Sequence, residues 1–143
     1  MKVEELRIGD IVQAVVAINR LTPPMRVVGV GEACGGYVYL EIDKEQGDPF
    51  EHSPDEIKGV PLNVDFLLKN GFIDNQLGQY YCRVDLVKTI RCGELHPNQW
   101  LITIDEVVGD NEYETHAINL KARYVHELQH LVNDCKLTKE FKI

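Results

Sequence analysis

Only two stretches of this chain carry a helical repeat of apolar residues, 63–72 and 122–135, and nearly everything else is a short apolar run closed by a turn. Runs of that length become stable only by pairing with one another, so the pattern predicts an α+β fold in which antiparallel sheets carry most of the core. Residues 10–18 form a near-continuous apolar run, with Gly9 before it and Pro23-Pro24 after it. Residues 26–31 lead through Cys34-Gly35-Gly36 into 37–42, two β-rich runs joined by a glycine-containing loop, which predicts a hairpin. Gly29-Val30-Gly31 is superficially like a dinucleotide-binding loop, but that fingerprint needs a helix after it, and a strand follows here. The polar, acidic stretch 44–54 is expected to be a loop, and it fails as a calcium loop because Gly47 and Asp48 stand at the fifth and sixth places. A short strand is expected around 56–62. The entry Leu6-Arg7-Ile8-Gly9-Asp10-Ile11-Val12 suits the first strand of a small SH3-like barrel.

Asn63 is a good helix N-cap, Val64, Leu67 and Leu68 share one face, and Asn70-Gly71 with Phe72 supplies a left-handed stop. Residues 79–118 return to strand patterns. Within them Trp100, Ile102 and Ile104 alternate with Leu101, Thr103 and Asp105, as a half-buried strand requires, and turns are expected at 93–98 and 109–111. The predicted architecture is a small SH3-like β-barrel lobe over residues 1–60, followed over 61–143 by a helix–antiparallel meander–helix lobe of order α-β-β-β-α. Each lobe alone would have a marginal core, so the two are expected to pack as one unit.

Fifteen basic residues face twenty-three acidic ones, a formal charge of −8. Phosphate neutralisation drives most nucleic-acid affinity, so nucleic acid is not an expected partner. No apolar stretch approaches the roughly 20 residues that span a bilayer. There is no secretion-signal pattern, and the four cysteines contain no Cys-x-x-Cys pair. The expectation is a cytoplasmic protein with free, mostly core-filling thiols.

The sharpest chemical signal is His126-Glu127-Leu128-Gln129-His130. It matches the pattern in which two histidines one helical turn apart bind zinc and the glutamate activates water. Cys92 or Cys82, or else His116, His96 or Asp134, could be cast as a third ligand. Facing argues against it. At about 100° per residue, His126 and His130 fall opposite the apolar stripe of Tyr124, Val125, Leu128, Leu131, Val132 and Cys135, which predicts a solvated pair without a dry cavity. The deformylase-type Gly-Cys-Leu segment and the metzincin Gly-x-x-His are both missing. Ser53, the single serine, has His52 beside it in sequence, and adjacency makes no triad.

Three segments together resemble a family of short bacterial and prophage or mobile-element proteins with no assigned activity. They are Leu6-Arg7-Ile8-Gly9-Asp10, then Val60-Pro61-Leu62 running into Phe66-Leu67-Leu68-Lys69-Asn70-Gly71-Phe72, and the terminal Tyr124-Val125-His126-Glu127-Leu128-Gln129-His130-Leu131. The resemblance implies that relatives carry Gln and Asn in the places of Glu127 and His130, so that zinc hydrolysis is not the family's common task. The leading expectation is therefore a non-enzymatic accessory or interaction protein binding a protein or small ligand, with no cofactor and no assigned catalytic or metal residue. The alternative is a zinc-dependent hydrolase with Glu127 as general base and His126 and His130 as ligands.

Overall fold

A computed structural model describes residues 1–41, 50–107 and 113–143. They form two compact units, one over Met1–Val60 together with Ile143 and one over Pro61–Lys142. Antiparallel sheets dominate both, with two α-helices in the second.

The first unit is a six-stranded sheet curled into half a barrel. Its organising strand is β1 (Ile11–Ala17), which pairs with three others. Near its start it meets β3 (Met25–Gly31), at its end it turns back on β2 (Arg20–Leu21), and along Val12, Gln13 and Ala14 it pairs with β6 (Ile57–Gly59). The sheet continues from β3 to β4 (Tyr37–Leu40) and then β5 (Phe50–His52). Leu6, Val12, Ala14, Val27, Val38, Leu40 and Ile57 fill the concave side.

The β3–β4 hairpin accounts for Gly29 and Gly31. Each stands opposite a tyrosine, Gly29 facing Tyr39 and Gly31 facing Tyr37, and a Cβ at Gly31 would fall within the Tyr37 ring. The dinucleotide-loop likeness thus dissolves into cross-strand aromatic cover. Gly36 is required twice over: its φ is +96°, and a Cβ there would come within 2.6 Å of Val3. Composition makes Phe50–His52 a loop; it is a strand because β4 supplies its partners, a tertiary cause the local acidic composition hides. The remainder of that stretch, residues 42–49, lies outside the described residues.

In the second unit, α1 (Val64–Lys69) begins where Asn63 Oδ1 accepts from the Phe66 N–H at 2.8 Å. It ends in a Schellman pair: the Phe72 N–H donates to the Leu67 carbonyl and the Gly71 N–H to that of Leu68, with Gly71 at φ +81°. Five consecutive strands then form a meander: β7 (Ile73–Asp74), β8 (Gln79–Arg83), β9 (Lys88–His96), β10 (Gln99–Val107) and β11 (Tyr113–Ala122). Five strands stand where the sequence pattern predicts three. The turn expected at 109–111 lies outside the described residues. Trp100, Ile102 and Ile104 face the core, as their alternation predicts. Asp105, expected to point to solvent, is buried instead, with Arg91 Nη2 at 2.8 Å from its Oδ2.

The last helix, α2 (Val125–Asp134), starts three residues later than expected, because β11 keeps Ala122 paired with Trp100. After it the chain passes back to α1, where buried Asn70 holds it. Asn70 Oδ1 accepts from the Lys142 N–H at 2.6 Å, and Asn70 Nδ2 donates to the Lys142 carbonyl at 3.1 Å. Phe141 stacks on Phe66 beside this clasp. Asn70→Ala is expected to cost about 1–3 kcal/mol, the penalty for stranding hydrogen-bond partners, in a urea titration followed by circular dichroism. A variant as stable as the parent would mean that water replaces the amide without loss.

Candidate functional site

Helix α2 carries the histidine motif, and its setting differs from the sequence expectation. His126 is buried, at 5 % exposure, and so is Gln129; His130 and Glu127 are half-buried. The helical wheel locates the apolar stripe correctly, since Val125, Leu128, Leu131 and Val132 are all buried. It fails for His126 because a wheel marks which side is greasy, and polar side chains with partners can be buried on the other. The His126 ring lies parallel to Tyr124 at 5.8 Å and edge-on to His130 at 5.6 Å.

Glu127 has a structural task. Its Oε2 accepts from the Arg123 N–H at 2.7 Å, just ahead of the helix, where a carboxylate also complements the positive end of the helix dipole. Glu127→Ala is expected to lower stability by about 1 kcal/mol, as the loss of a helix cap does, with Glu127→Gln closer to the parent. Thermal melting of both variants checks it.

The proposed third ligands are scattered. Among the described residues, no group of three His, Cys, Asp or Glu side chains could hold a metal ion. His96 lies at the end of β9 and Asp134 is exposed. His116 stands opposite Ile104 on β11, and its side chain lies outside the described residues. Cys82 and Cys92 are buried on neighbouring strands. Burial pushes the Cys92 thiol up to about 12, with Cys82 adding to the effect, so Arg91 beside it in sequence does not activate it. Arg91 is committed to Asp105, and Arg83 donates to the Asp85 and Leu86 carbonyls. Both therefore serve to brace the loop and strands around a hollow of about 400 Å³ on the second sheet. All four thiols are free, yet only two are buried; Cys34 is exposed and Cys135 half-buried, fewer in the core than expected. Alkylation at neutral pH followed by peptide mass spectrometry is expected to modify Cys34 first and to spare Cys82 and Cys92 until the protein unfolds. Early labelling of Cys92 would contradict the packing described here.

The first unit contains an open cleft that no sequence motif announces. Its apolar lining comes from Val15 and Val16 of β1, from Pro23, Pro24 and Met25, from Phe50 of β5, and from Ile143. Thr22 fixes the proline segment: its hydroxyl accepts from the Ala14 N–H at 3.0 Å and its N–H donates to the Ala14 carbonyl at 2.8 Å. Phe50 is 61 % exposed and Val16 53 %, although both are large apolar side chains.

The rim is acidic. Among the described residues, Glu41, Glu51 and Glu56 line it together with His52 and one arginine, Arg26. Glu51 accepts from the Tyr39 hydroxyl at 3.0 Å, and that hydrogen bond, with the adjacent negative charge, holds the phenol above its ordinary range. His52 Nδ1 lies 3.1 Å from Glu56, so the sequence neighbours His52 and Ser53 form no nucleophile–base pair. Arg26 donates to the Gly9 carbonyl at 3.3 Å. The only sequence hint of this surface is a phenylalanine, Phe50, standing inside an acidic stretch.

No protein-family model matches the chain, and neither a curated protein nor a solved structure matches it. Among the described residues no helix is long and apolar enough to cross a membrane.

Proposed function

We propose that this chain is a non-enzymatic interaction protein that binds a protein or small ligand through the cleft of its first unit. The observation that supports it most is the exposure of Phe50 and Val16 in an open, apolar-lined concavity, since contiguous exposed apolar surface usually marks a binding site. In this reading the curled sheet is a small SH3-like barrel. The pairing of β1 with both β3 and β6 supports that, because it bends one strand between two parts of the sheet. The three-segment resemblance supports an accessory role for a phage or other mobile element, acting in the cytoplasm. Nuclear magnetic resonance of isotope-labelled protein, titrated with a mixture of short peptides and small aromatic fragments, is the test. Shifts confined to Val15, Val16, Met25 and Phe50 are expected; a silent cleft overturns the reading.

A second reading, a zinc-dependent hydrolase, draws on the neighbouring rings of His126 and His130. The capping role of Glu127 weighs against it, because the carboxylate that would activate water is already hydrogen-bonded. Protein dialysed against a mild chelator is expected to carry well under one zinc per chain by elemental analysis. Zinc retained at one per chain would promote the hydrolase above the interaction protein.

A further inference from the structure

From the charge around the cleft we infer that its occupant is an extended, basic segment of another protein, with apolar side chains alternating between its cations. This rests on the cleft being the binding surface. Among the described residues, three carboxylates, Glu41, Glu51 and Glu56, stand on the rim against one guanidinium, that of Arg26. All three carboxylates belong to exposed residues. The Tyr39 hydroxyl donates to Glu51 at 3.0 Å and fixes that carboxylate in place on the rim.

Apolar floor and acidic rim together select a ligand that is apolar and cationic at once. A purely apolar ligand would gain nothing from the carboxylates, and an acidic one would be repelled. The whole chain, at −8, adds a field that steers a cation toward it. An extended peptide can meet both because its successive side chains point to opposite sides, so that one set can reach Phe50 and Val16 while the other meets the rim.

Fluorescence anisotropy with the full chain tests this, using three labelled peptides: valine alternating with arginine, with serine, or with glutamate. The arginine peptide is expected to bind roughly tenfold or more tighter than the glutamate peptide, given three weak ion pairs, and to weaken as salt is raised. Replacing Glu41, Glu51 and Glu56 together by Gln should abolish the preference for the arginine peptide over the glutamate peptide. Should that triple variant fail to fold, Glu41→Gln alone must narrow the preference by roughly two- to threefold. Phe50→Ser should weaken the arginine and serine peptides alike. Equal binding of the arginine and serine peptides, lost in Phe50→Ser, would overturn the basic occupant and leave the cleft standing as a binding surface. Absence of binding by all three would overturn the cleft reading as well.

Discussion

Trp100→Ala lowers the free energy of unfolding by about 3–5 kcal/mol, the usual cost of truncating a buried tryptophan. The indole is 1 % exposed near the start of β10, packs edge-on against Tyr80, and donates from Nε1 to the Leu62 carbonyl at 2.8 Å. It therefore joins the sheet to the segment that leads into α1. Trp100→Phe separates two contributions: it keeps much of the ring packing but strands the Leu62 carbonyl, and should cost about 1–3 kcal/mol. Urea midpoints followed by far-ultraviolet circular dichroism provide the measurement, because Trp100 is the only tryptophan and its replacement removes the fluorescence signal. Two variants of equal stability would show that the hydrogen bond, and not the packing, dominates.

Leu128→Ala is the second large effect, about 2–5 kcal/mol, from a side chain with no exposed surface in the centre of the α2 stripe. Its value lies in comparison along one helix. His126→Ala should cost about 1–3 kcal/mol, because the ring is buried and stacked on Tyr124. His130→Ala, at a half-buried position one turn on, should stay within about 0.5 kcal/mol. The order Leu128, His126, His130 distinguishes the observed helix from the one its apolar pattern implies, in which both histidines would be equally cheap to remove. A His126 variant as stable as the parent would contradict the burial described for that ring.

Features set by close neighbours along the chain are legible in the residues themselves. Helix α1 is the clearest case: Asn63 at its start and Gly71 with Phe72 at its end act within a few residues, and local chemistry suffices. The inward set Trp100, Ile102 and Ile104 follows from strand alternation in the same way. What escapes a reading of the sequence depends on distant partners. Phe50–His52 is a strand only because β4 lies beside it. Asp105 is buried only because Arg91 reaches it from the next strand. The cleft is assembled from β1, the proline segment, β3 and β5, so no contiguous run of residues could signal it. The histidine motif illustrates the reverse problem: a contiguous pattern is conspicuous, while the work done by its glutamate, capping the helix at Arg123, is visible only in three dimensions.

The clasp between Asn70 and Lys142 bears on how the second unit comes into being during synthesis. Its meander can zip up hairpin by hairpin as β7 to β11 emerge, since each strand pairs with the one just made. Helix α1 is different. Asn70 is translated early, yet its partner is 72 residues further along, and Phe66 waits longer still for Phe141. Until residue 142 has left the ribosome, the end of α1 carries an apolar ring without its cover and a polar amide without its protein partner. During synthesis, therefore, each strand of the meander meets its partner soon after it is made, while Phe66 and Asn70 of α1 wait for the far end of the unit.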